Sequence, residues 1–156
     1  MPPIFQHVIT LIARILLSLV FIASGAGHVM DWTGATKHMA ARGMAMEGVF
    51  GSAGTVLVHV MLAGTVVLLL LGGLSVLLGV RARWGAIALI VFLIPTTLIF
   101  HQFWTLGSSS PQHKVEMINF MKNAGLLGGL LMIAAFGSGG FSLDVFLPKR
   151  KRAGEL

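Results

Sequence analysis

The chain has no cysteine and no tyrosine, and it is poor in charge: 10 % of its 156 residues, with 5 acids against 11 lysines and arginines. Without cysteine it can form no disulfide, thiolate metal site, thioether haem attachment or thiol redox couple. Any redox role must therefore come from a bound cofactor or a partner, and a catalytic role independent of both is not expected. The scarcity of charge has its counterpart in a hydrophobic content of 56 % and a mean hydropathy of +0.91. A soluble domain this small cannot hide that much apolar surface from water. The net charge of +6 does not point to nucleic acid, because in a membrane protein the distribution of cations between the two faces carries the information.

What is there instead is apolar sequence in spanning lengths. The runs Val8 to Met30, Ala53 to Val80, Trp84 to Trp104 and Met117 to Gly137 each reach the ~20 residues that a transmembrane helix needs. They do not alternate, which excludes a membrane β-barrel. The prediction is an all-α, four-helix membrane bundle forming a single domain over residues 1–156, followed by a basic tail at 149–156. Between the first two runs, Asp31 to Gly51 mixes Lys37, His38, Arg42 and Glu47 with Met and Ala, as a short helix lying in the interface would.

An even number of spans puts the N-terminus, the second connection and the C-terminus on one face. That face holds Arg81, Arg83, Lys149, Arg150, Lys151 and Arg152 against Lys37, Arg42, Lys114 and Lys122 on the other. The positive-inside rule then predicts both termini in the cytoplasm. A cleaved signal peptide is disfavoured, since the first run lacks a basic leader and contains Arg14.

Polar groups are costly in hydrocarbon, so their placement is the most informative feature of such a sequence. Arg14, Ser18, Phe21, Gly25 and His28 recur at spacings of 4, 3, 4 and 3, one stripe of a helix with a cation at one end and an imidazole at the other. Arg14 either snorkels to the inner interface or pairs with Asp144, the best-placed acid on that side. At the other side topology gathers His28, His59, Thr97, His101, Trp104, Lys122 and Asn123 at similar depth, forming a candidate polar cluster at an outer mouth. Pro95 removes a backbone donor, frees a carbonyl for Thr96 or Thr97, and is expected to aim His101 and Trp104 toward that mouth. The glycines of helices two and four are expected at close helix crossings. No metal-ligand spacing is present. A b-type haem would need two facing imidazoles, for which His59 and His101 are the candidate pair without a supporting pattern.

Several of these segments are similar to the DoxX family of small bacterial membrane proteins. The resemblance lies in Ala13-Arg14 through Phe21, Gly25 and His28, in Gly72-Gly73 followed by Leu78-Gly79-Val80-Arg81-Ala82-Arg83, in Phe100-His101-Gln102-Phe103-Trp104, in Phe120-Met121-Lys122-Asn123, and in Gly139 to Asp144. It implies a four-helix fold, a place in the bacterial inner membrane, and a membrane subunit linked to quinone-dependent sulfur oxidation or to assemblies handling oxidative stress.

Three functions follow as expectations. The first is an accessory subunit whose outer mouth holds a quinone headgroup or docks a redox protein, with His101 and Lys122 donating to carbonyl oxygens and Trp104 stacking on the ring. The second is a small-solute transporter, which requires polar groups through both leaflets. The third is a structural membrane partner without a ligand, for which a homo-oligomer packed on glycine faces is one form.

Overall fold

The computed structural model describes residues 3–42, 51 and 53–145; the basic tail expected at 149–156 lies outside them. Five α-helices are present among these residues: α1 (Pro3–Met30), α2 (Trp32–Ala41), α3 (Ala53–Leu78), α4 (Ala82–Phe100) and α5 (Pro111–Phe136). Four of them, α1, α3, α4 and α5, are long and apolar enough to cross a membrane, so the molecule is an all-α membrane helical bundle. Single 3-10 turns follow at Phe103–Thr105 and Leu143–Val145.

The helix ends differ from those read in the apolar runs, for local reasons. Helix α5 begins at Pro111 rather than near Met117, because proline suits the first helical turn, where its missing donor would be unpaired anyway. Its first two turns carry Lys114 and Glu116 and so look like loop in a hydropathy reading. Helix α4 stops at Phe100, four residues short of Trp104, and His101 closes it by donating its amide to the Thr97 carbonyl at 3.1 Å. Of the stretch Asp31 to Gly51, expected to form a short helix, Trp32–Ala41 is α2, started by Asp31, whose carboxylate accepts from the Gly34 amide at 2.9 Å; positions 43–50 lie outside the described residues.

Packing follows chain order: α1 lies on α3, α3 on α4 and α4 on α5, while α1 and α5 meet only slightly. The Gly72-Gly73 pair of α3 makes two of these crossings. A Cβ at Gly72 would strike Leu89 of α4, and one at Gly73 would strike Ile22 of α1. Among the α5 glycines the expected close approach occurs at Gly129 against Leu17, whereas Gly125 and Gly128 face open space. Large side chains such as Leu16, Leu71, Trp84 and Phe136 are exposed around the outside, as a lipid-facing surface requires. Two apolar clusters fill the interior. One joins Phe21, Leu69, Val76, Leu89, Leu93, Leu130 and Ile133; the other joins Met39 of α2 to Val58, Leu62 and Val66.

The end of the bundle that carries Pro3, Leu78, Ala82 and Phe136 is the one assigned to the cytoplasm by the Lys and Arg count; it is called the inner end. Arg14 is buried there, 1 % exposed, and does not snorkel. Its guanidinium donates to four backbone carbonyls: Val76 at 2.9 Å and Leu77 at 2.6 Å at the end of α3, and Ser138 at 2.9 Å and Phe141 at 2.7 Å beyond α5. Helix ends leave carbonyls without intrahelical partners, and the planar five-donor fork of arginine suits the task of collecting them. The direct Arg14 to Asp144 ion pair expected from the sequence is not formed. Asp144 instead accepts the Arg81 amide on both carboxylate oxygens, at 3.0 and 2.9 Å, holding the α3–α4 turn in which Gly79 and Arg81 both take positive φ. Gly79 is packed so tightly against the Arg14 guanidinium and Ser142 that a Cβ has no room.

Candidate functional site

The outer half of the bundle is built differently. All five helices line a half-open cavity of about 430 Å³ there, within the ~300–1,000 Å³ typical of small-molecule sites. Phe21, Leu69, Leu93 and Leu126 form its apolar end. Ser24 and Thr65 line it from α1 and α3, and Thr96 and Pro95 from α4. Its basic side chains are His28 from α1, His38 from α2, His101 at the end of α4 and Lys122 from α5.

Helix α2 flanks this cavity with His38 and Met39 and is held in place by polar and aromatic contacts. Arg42, just past its end, pairs with Glu116 of α5 at 3.1 Å and lies over the Phe100 ring, 5.9 Å from its centroid. His38 stacks on the same ring at 5.4 Å. Glu116 also binds His101 Nδ1 at 2.7 Å, so one carboxylate ties α2, the end of α4 and the start of α5 together. Asn123 is buried in the cavity wall and donates to Thr97 Oγ1 at 3.0 Å; Thr97 in turn donates to the Leu93 carbonyl at 2.7 Å.

Of the seven residues expected at an outer mouth, four line the cavity: His28, His101, Lys122 and Asn123. Thr97 stands behind Asn123 as its partner. His59 does not line the cavity: its Nδ1 is 2.9 Å from the Thr55 carbonyl and its ring lies against Trp32. The structure therefore does not bring His59 and His101 to a common haem site. Trp104 is also outside, half exposed and packed edge-on against Phe103 and Phe120, because α4 ends before it and the 3-10 turn carries it away. The Pro95 reading needs a similar correction. Thr96 and Thr97 donate to the Phe92 and Leu93 carbonyls, not to the Val91 carbonyl that the proline leaves without its helical donor.

A family model, the SURF4 family, matches residues 5–151. The chain belongs to the SURF4 family. Two relatives from Escherichia coli K12 cover most of their own length: inner membrane protein YqjF, 30 % identical over 93 % of this chain and 96 % of that protein, and inner membrane protein YphA, 32 % identical over 89 % and 90 %. A Surfeit locus protein 4 homolog of Drosophila melanogaster is 33 % identical over 44 % of this chain and 26 % of its own length. No solved structure matches the chain. With four spanning helices and these relatives, the chain is a multi-pass protein of the inner membrane.

SURF4 membership overturns the resemblance to the DoxX family, and the sulfur-oxidation and stress-assembly roles implied by that resemblance go with it. Part of the reason is physical. Of the motif residues that carried the likeness, Gly25, Gly72, Gly73 and Gly79 sit at close approaches, where packing in any helical membrane bundle selects small residues, and Arg14 collects backbone carbonyls at helix ends. Sequence reasoning placed His38 and Arg42 in the connecting segment but not at the mouth, and passed over Glu116. The available signal was scarcity: Glu116 is one of 5 acids in the chain.

Proposed function

We propose that this SURF4-family protein is a membrane-embedded binding protein, not an independent enzyme, whose outer-half cavity takes a small amphipathic molecule. The observation that carries the reading is the polarity of the cavity: an apolar end at Phe21, Leu69, Leu93 and Leu126, and basic hydrogen-bonding groups at His28, His38, His101 and Lys122. Such a gradient matches a ligand with a polar head and an oily body. A quinone is one molecule of this type; His28, His38 and Lys122 would donate to its carbonyl oxygens, and Phe92 would replace Trp104 as the ring contact. A transport path through the inner half is disfavoured by the packed cluster of Val76, Leu89, Leu130 and Ile133 and by the carbonyl-bound Arg14.

The test is to purify the full chain in mild detergent and identify extracted small molecules by mass spectrometry, beside a Thr65→Phe variant that fills the cavity. A near-stoichiometric amphipath lost in the variant is the expected result. An empty, well-folded wild-type chain would reject the reading in favour of a ligand-free structural role.

A further inference from the structure

The amphipath-binding reading leaves the class of molecule open, and the inference here rests on that reading. Among the described residues the cavity lining carries four basic side chains, His28, His38, His101 and Lys122, and no aspartate or glutamate. Glu116, which reaches His101 from outside the lining, is already engaged by both His101 and Arg42. Lys122 meets only the neutral Asn119 side chain at 3.3 Å among the described residues. An ammonium group and several imidazole donors, with no carboxylate in the lining, favour an anion over a neutral head.

Charge narrows the anion. Arg42 is paired with Glu116 and does not line the cavity, so among the described lining residues Lys122 alone carries a full formal charge. One ammonium balances a monoanion such as a carboxylate, whereas a phosphate monoester brings a charge of about −2. Size narrows the body: about 430 Å³ accommodates one slender chain, and the second acyl chain of a phospholipid would have to lie outside it. The geometry points to a single-chain carboxylic amphipath, a fatty acid, with its head beside Lys122, His28 and His38 and its tail against Phe21, Leu69, Leu93 and Leu126.

The experiment measures equilibrium binding of radiolabelled palmitate and of its methyl ester to the full chain in lipid nanodiscs, with empty nanodiscs subtracted. Palmitate binds saturably and the ester at least about tenfold more weakly, the size of effect expected when one charge-assisted hydrogen bond is lost. Lys122→Gln lowers palmitate affinity by about tenfold without moving the ester, and Lys122→Arg restores most of it. Lys122 is exposed, so both variants keep the fold, which their size-exclusion profiles check. Equal binding of acid and ester, or no effect of Lys122→Gln, overturns the carboxylate assignment. A short-chain quinone that binds where palmitate does not overturns it too, while leaving the amphipath reading standing; binding by neither probe rejects both.

Discussion

The two ends of the bundle handle buried polarity in opposite ways. At the inner end one cation, Arg14, is enclosed by protein and answered by four backbone carbonyls from two segments far apart in sequence. At the outer end several polar side chains share a cavity, and only part of their hydrogen-bonding capacity is used by protein. Gly79, Gly129 and the turn held by Asp144 close the first end. A cavity lined by all five helices occupies the second. The difference teaches how to separate structural from functional polar residues in a membrane bundle: full satisfaction by backbone marks a fastening, and convergence on a cavity with donors left over marks a site.

The comparison is broken most severely at the inner end. Arg14→Met leaves four carbonyls without their donor in a buried setting, and its expected cost is roughly 3–5 kcal/mol, read as loss of monodisperse protein in detergent or a collapse of the thermal midpoint. Gly79→Ala comes next. Its φ of +71° and its contact with the Arg14 guanidinium make any Cβ unfavourable, and about 2 kcal/mol should be lost in the same assay. Glu116→Gln weakens the partly exposed pairs with Arg42 and His101 and should cost at most about 1 kcal/mol. Its signature is local, faster hydrogen exchange in α2 with little change in α1 or α3. Asp144→Asn is the mildest, because an amide oxygen still accepts the Arg81 N–H, and about 0.5 kcal/mol is expected. An Asp144→Asn variant as unstable as Arg14→Met would mean that the two residues form an ion pair after all.

The fold was legible because the bilayer leaves a spanning chain few solutions: four uninterrupted apolar runs read as four helices, and all four form. The amphipathic stretch after Met30 likewise became α2. Helix ends were less legible. Pro111 starts a helix whose first turns are polar, and His101 ends one inside an apolar run, and both facts depend on capping rather than hydropathy. The inner fastening was half legible. Arg14 was conspicuous, yet a lone arginine suggests a carboxylate partner, whereas the actual partners are main-chain carbonyls that no side-chain pattern records. At the outer end, depth alone grouped His28, His101, Lys122 and Asn123, which line one cavity. It could not show that the 3-10 turn removes Trp104, that His59 faces Trp32, or that α2 delivers His38 and Arg42, since these depend on how a short interfacial helix lies against the bundle.

The central claim is a division of labour between the two ends, and it is tested most directly by measuring small molecule retained per folded chain for Thr65→Phe and Gly79→Ala side by side with the wild type. The account predicts that Thr65→Phe gives a normal yield of folded protein emptied of its amphipath, whereas Gly79→Ala gives less folded protein that retains the wild-type amount per chain. Equal ligand loss in both variants, or retention in Thr65→Phe, would contradict it.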